Sequence, residues 1–347
     1  APSGAPMLYA LPSVLPKVSV TAIAQAAGSG NQFAFGTNDG RIIPVTIEFA
    51  AGFEEGARQI VPTVTLGSPV QLTPAKEQIV RLAYQPTERG TLAVALTGQG
   101  RLWYGAIPFA TGPVAVTDHG AEPVKALIFD RRGETLSIGT AGGNLYYYDV
   151  REGAQPSLIE TVSVAPAGTS VTALSYLIGD RSLAIGTSTG DVSVWMPVRQ
   201  AQESSITHLR LIHQLEAHPS SVTGISPSRR DKGFITGDAQ GNLFVHYSTS
   251  AQTLLKLQGN NQAIRTLAFS PKADGAVALT DQGALLTYAI HNPHPETTLG
   301  ALFKSVWYEG YERPEHVWQS SSGADDFEAK FGFLPLDRKS TRLNSSH

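Results

Sequence analysis

No cysteine occurs among the 347 residues. That excludes disulfides, thiolate metal sites and cysteine nucleophiles, and it suits an oxidising compartment. Charge is scarce: 16% of residues are Asp, Glu, Lys or Arg, against about 25% in ordinary soluble domains. The formal net charge is only −3 and no basic cluster stands out, so nucleic acid is not an expected partner. No apolar run reaches the roughly 18 residues of a membrane helix. The opening residues, APSGAPMLYA, lack a starting Met and a charged n-region. They do not read as a signal peptide but as part of a longer chain.

What is present is turn chemistry and apolar substance. Gly 34 and Pro 22 imply many turns, and 41% hydrophobic residues exclude wholesale disorder. One pattern recurs six times. It opens with [V/I]-x-x-[I/L]: Val20–Ile23, Ile79–Leu82, Val124–Leu127, Val171–Leu174, Val222–Ile225 and Ile264–Leu267. A second strand follows, then a turn reading TNDG, TGQG, TAGG, TSTG, DAQG or TDQG, ending at Gly40, Gly100, Gly143, Gly190, Gly241 and Gly283. Two residues on comes an aliphatic: Ile42, Leu102, Leu145, Val192, Leu243 or Leu285. From the first aliphatic to the Gly the distance is 19 to 21 residues in every copy. A tight hairpin needs positive φ, which glycine adopts without strain. Each unit holds three short alternating segments with room for a fourth strand, and no helical period intervenes. Units of about 40 to 50 residues with four strands are propeller blades.

The fold expected is therefore all-β: a propeller of six visible blades over residues 18–296, followed by an irregular C-terminal segment. Residues 7–16, MLYALPSVLP, read as an outer strand. It either completes the last blade or belongs to a preceding one, which leaves seven blades open, and residues 1–17 are set apart on that ground. The units resemble WD repeats, best in 182–197 and in 216–226 with 233–247. No blade carries the Trp-Asp pair, and Tyr148-Asp149 is nearest to it. His218 stands where that family's structural His would be, but Gln240 replaces its usual Asp partner before the turn Gly. Blade one keeps that Asp as Asp39 and has Pro16 at the His position. The family's buried hydrogen-bond tetrad is accordingly expected to be absent.

Little in the chain reads as catalytic. Gly186 to Gly190 matches G-x-S-x-G around Ser188. A hydrolase elbow needs a strand-to-helix turn, whereas this stretch is a hairpin turn repeated in every unit. His208, His213 and His218 are spaced by five, which in a strand alternates faces. His291 and His294 flank a loop, and neither group has the shape of a metal site. Asp325, Asp326 and Glu328 form an acidic loop without calcium-loop spacing. No enzyme, cofactor or metal site is expected.

From Phe303 the character changes. Residues 303–336 carry Trp307, Tyr308, Tyr311 and Trp318 among mixed charges, a composition suited to a membrane interface. The stretch VWYEGYERPEHVWQSSSGADDFEAKF, Val306 to Phe331, with Leu334-Pro335-Leu336, resembles the segment before a core helix in bacterial phosphate-type ABC-transporter permease subunits. That resemblance implies several things. Residues 297–336 would be a pre-membrane linker, and the propeller an insertion facing the periplasm at the bacterial inner membrane. Its partners would be the remaining permease helices, a second permease subunit, an ATPase subunit and a phosphate-binding protein. This portion would serve interaction or regulation, not conduction. No phosphate-site residue follows from it. Residues 337–347, which include RKSTRLNSSH, break the pattern, resemble sequencing-adapter read-through and are set aside. The alternative is a free-standing WD-repeat-like scaffold for protein interaction.

Overall fold

The computed structural model describes residues 18–54, 57–107, 112–199, 207–290, 305, 313–314, 317–319 and 329–331. Among these there is no helix; every regular element is a strand. Six antiparallel sheets follow one another along the chain. The first holds β1 (Val20–Gln25), β2 (Gln32–Thr37), β3 (Arg41–Glu54), β4 (Ala57–Leu66) and the short β5 (Val70–Gln71). The second holds β6 (Ile79–Thr87), β7 (Gly90–Thr97), β8 (Leu102–Ile107) and β9 (Val114–Ala115). The third holds β10 (Val124–Phe129), β11 (Thr135–Thr140), β12 (Asn144–Asp149) and β13 (Ser157–Ser163). The fourth is β14 (Val171–Tyr176), β15 (Leu183–Thr187), β16 (Val192–Arg199) and β17 (Thr207–Gln214). The fifth is β18 (Val222–Pro227), β19 (Gly233–Asp238), β20 (Leu243–Tyr247) and β21 (Gln252–Leu257). The sixth has three strands among the described residues, β22 (Ile264–Phe269), β23 (Gly275–Thr280) and β24 (Leu285–Ala289). Strand order equals chain order throughout, save that β5 pairs with β3. A separate two-stranded piece, β25 (Val317–Gln319) with β26 (Ala329–Phe331), lies in the C-terminal segment.

The chain divides into two compact units, Pro2–Leu174 and Ser175–His347 with Ala1. In the first, neighbouring sheets bury their faces against each other. Ile42, Leu72, Ile79, Tyr84 and Ala93 join sheets one and two; Val94, Tyr104, Phe129, Ile138 and Tyr148 join sheets two and three. In the second unit Ile235, Val245, Ala276 and Ile290 do the same for sheets five and six. This packing corrects one sequence expectation. Two of the second strands do not alternate: β15 and β19 are buried along their whole length, while β23 in the sixth sheet does alternate. A central strand covered on both faces reads as a continuous apolar run. Alternation survives in outer strands such as β13, where most residues are exposed.

The opening strands share a finer feature. In β1, β6, β10, β18 and β22 the register shifts just after the first aliphatic residue. A bulge at a fixed place bends and twists each strand alike. The first sheet has an addition. Its turn lies 60 residues before the next, against 42 to 51 elsewhere. The excess is a ribbon: β2 pairs β3 only over Ile42–Thr46, while β3 and β4 stay paired out to Glu54 and Ala57. Phe49 is 61% and Ile60 55% exposed on it.

Candidate functional site

The hairpin turns show how local sequence builds each sheet. All six turn glycines have positive φ, from +79° at Gly40 to +93° at Gly190. In every turn the Gly N–H donates to the carbonyl three residues back. The side chain at that first position closes the turn from the other side. The hydroxyls of Thr37, Thr97, Thr187 and Thr280 accept the N–H four residues on, at 2.9 to 3.2 Å, and the Asp238 carboxylate does so at 2.8 Å. Thr140 donates instead to the Asn144 carbonyl at 3.2 Å and to Glu122. All six first-position residues are at most 2% exposed.

The fifth sheet contains a buried polar network, which corrects the expectation that the tetrad is absent. Gln240 is not the partner of His218; Asp238, two residues earlier, takes that place. Asp238 Oδ2 lies 3.4 Å from His218 Nδ1. Asp238 also accepts the N–H groups of Gln240 and Asn242, at 2.9 and 2.8 Å, and Asn242 Nδ2 at 2.7 Å. His218 Nε2 lies 2.6 Å from Thr236 Oγ1, Thr236 Oγ1 lies 2.8 Å from His246 Nε2, and His246 Nδ1 lies 3.0 Å from Thr253 Oγ1. His246 stands five residues past the turn Gly, as Trp195 does in sheet four. His218 stacks on Phe244 at 3.9 Å. Burial keeps both histidines neutral: the His246 pKa falls to about 3 and that of His218 falls below its usual value. In blade one, Asp39 pairs instead with Arg41, which holds its carboxyl below the usual range.

Surface chemistry of a different kind meets in the first unit. The β6–β7 hairpin brings Thr87, Arg89 and Gly90 to one rim. The β10–β11 turn brings Gly133, and the β12–β13 loop brings Val150, Arg151, Glu152, Gly153 and Ala154. With Leu92, Ala106 and Gly112 these residues enclose a groove of about 250 Å³. Its rims are tied together. Arg89 donates to the Arg151 carbonyl and Tyr104 Oη to the Gly153 carbonyl at 3.2 Å. The Arg151 guanidinium pairs with Asp149, whose carboxyl it holds below the usual range. Burial pushes the Tyr104 phenol up to about 12, so it stays a hydrogen-bond donor. Four glycines stand in the lining, of which Gly133 is buried against Thr87 and Leu92. Arg89 is exposed and retains N–H donors in the fixed fork that suits a carboxylate.

The other candidates do not converge. Ser188 sits in the β15–β16 turn, as its sequence context indicates. His208 and His213 lie on β17, and burial lowers the His213 pKa to about 4. Among the described residues no three His, Cys, Asp or Glu side chains are grouped to hold a metal, and no helix is long and apolar enough to cross a membrane. Trp307, Tyr308, Tyr311, His291, His294, Asp325, Asp326 and Glu328 lie outside the described residues, and for Trp318 the backbone alone is described, within β25.

No family model matches the chain, and no curated protein matches it. Solved structures do. The β-propeller domain of Cps50 (Swd1) from Myceliophteria thermophila matches with a TM-score of 0.57 at 12% identity, over 78% of this chain and 84% of that one. A chain of the mitotic checkpoint complex matches with a TM-score of 0.55 at 14% identity, over 80% and 76%. In all, 1475 solved chains match, so the likeness fixes the fold and leaves function to the site. The fold is a WD-repeat-like β-propeller with six blades among the described residues.

Proposed function

We propose that this chain is a protein-interaction scaffold that holds an extended, acidic segment of a partner in the groove between its second and third blades. The observation that carries this reading is the groove. It is a mainly apolar cleft between hairpins, with the exposed Arg89 fork on its rim and four glycines in its lining. A segment with one Asp or Glu would place its carboxylate on Arg89 and run along the groove between the β6–β7 hairpin and the β12–β13 loop. The test is selection of a phage-displayed random peptide library on the full chain. Selected peptides should carry Asp or Glu and lose binding to Arg89→Glu. Peptides that bind Arg89→Glu equally well would refute the reading.

A second reading concerns the chain's setting. The resemblance of Val306 to Phe331 to permease linkers favours a periplasm-facing insertion in a phosphate-uptake permease. The scaffold role would then serve docking of a transport partner. The residues encoded after Leu336 in the source genome test it: apolar spans of about 20 residues support it, and a stop codon refutes it.

A further inference from the structure

The two buried histidines of the fifth blade share one hydroxyl, and the arithmetic of protons there is tight. Thr236 has a single O–H, yet its oxygen faces His218 Nε2 and His246 Nε2, at 2.6 and 2.8 Å. One ring must accept from it and the other must donate to it. The Asp238 carboxylate fixes the direction, because the His218 nitrogen facing it at 3.4 Å must carry the hydrogen. His218 Nε2 is then bare and accepts from Thr236. The His246 Nε2–H donates to Thr236, and bare His246 Nδ1 accepts from Thr253 at 3.0 Å. Each ring holds one proton, and His218 Nδ1 faces the Asp238 carboxylate at 3.4 Å without a geometric hydrogen bond.

We propose that this one-way chain makes the fifth blade an acid-sensitive element of the propeller, which opens on mild acidification while the second blade, which has no histidine between residues 79 and 107, holds. A proton added to either ring puts a second N–H against an oxygen that is already donating or a hydroxyl that must turn away. Thr236, Asp238 and His246 are fully buried, and His218 is 3% exposed, so water cannot repair the mismatch without opening the sheet.

Burial outweighs the pull of Asp238 on His218, and no charged group favours a proton on His246. The loop entering β18 supplies Glu216 and His218, β19 supplies Asp238, and β21 supplies Lys256. That ammonium lies 5.8 Å over the Phe244 ring and pairs with Glu216. Asp231 and Lys232 stand at the far end of β19, β22 offers exposed Arg265, and β15 carries no titratable group. Asp238 already accepts three N–H donors, and Asp191 stands in the β15–β16 turn, where the Gly190 carbonyl takes the His218 N–H at 2.9 Å. No other blade has two histidines at these places.

The sign follows from linkage. The folded pKa of His246 is about 3, below the roughly 6.5 of an unfolded histidine, so the opened state binds more protons. The stability it lends is complete above about pH 6.5 and drains as pH falls from there. At pH 4.5 one such histidine favours opening roughly 100-fold. Hydrogen exchange by mass spectrometry on the full chain between pH 7 and 4.5, corrected for intrinsic rates, tests this. Protection over residues 222–257 should fall by about that factor, while residues 79–107 keep theirs. His246→Gln, whose amide can meet both threonines, should abolish the drop. His213→Gln, which removes the lowered histidine of blade four, should leave it. Should His246→Gln fail to fold, His218→Gln serves in its place. Uniform loss across all blades, or a blade-five drop that survives in both glutamine variants, would overturn the proposal.

Discussion

Substituting the turn glycines one at a time should separate two costs that the sequence alone merges. Gly143 has φ +84° and Gly100 φ +80°. An alanine at either pays the left-handed penalty, about 1–2 kcal/mol. At Gly100 nothing lies within 4 Å of the added carbon, so that is the whole effect. At Gly143 the carbon would lie 2.7 Å from the Ala165 carbonyl oxygen, 3.0 Å from that of Pro166 and 3.1 Å from that of Thr169. These are backbone atoms that cannot swing aside as a side-chain tip would. Moving them strains the bonds by which Val164 and Ala165 N–H reach the Gly143 carbonyl, at 2.9 and 3.1 Å. Each is worth about 0.5–1.5 kcal/mol net. Gly143→Ala should therefore cost about 2–5 kcal/mol and Gly100→Ala about 1–2 kcal/mol. Urea titration followed by far-UV circular dichroism, with both variants at the same m-value, reads the difference. Equal midpoints would mean that the loop after β13 yields freely and that close approach contributes nothing.

Further outcomes can be checked alongside. Thr187→Val, which removes the hydroxyl that accepts the Asp191 N–H at 3.1 Å, should cost about 1 kcal/mol in the same titration. Asp130 is 5% exposed and accepts the N–H groups of Glu134 and Thr135, at 2.7 and 2.8 Å. Burial raises its pKa, so its charge costs stability as pH rises through the folded value; Asp130→Asn should be neutral or stabilising at pH 7. Asp130→Ala leaves both N–H groups bare and should cost about 1–3 kcal/mol. Calorimetry with inorganic phosphate should show no micromolar binding to the chain, whose sequence has no phosphate loop and a net charge of −3.

What the sequence disclosed follows from how local each signal is. A positive-φ glycine and aliphatics at fixed offsets are short-range demands, so the six strand–turn–strand units could be read from a spacing of 19 to 21 residues. The threonine opening five of the six turns was in plain view too, but its closing bond shows only once the hairpin exists. The blade-five network escaped because its members lie 10 and 18 residues apart and its carboxylate had moved two places from the expected position. A hydrogen-bond network tolerates such a shift when the turn geometry carries the oxygen to the same point. The groove escaped for a plainer reason: Arg89, Gly133 and Arg151 belong to different hairpins, and only packing of sheet two on sheet three brings them together. The 60-residue interval between the first two turns is filled by the β3–β4 ribbon.

The most direct test of the scaffold reading is hydrogen exchange on the full chain with and without a selected acidic peptide. The account predicts added protection at residues 87–92, 112–115 and 150–154, and none at the turns ending in Gly40 and Gly100. Protection confined to those turns, with the Arg89 rim unchanged, would contradict it.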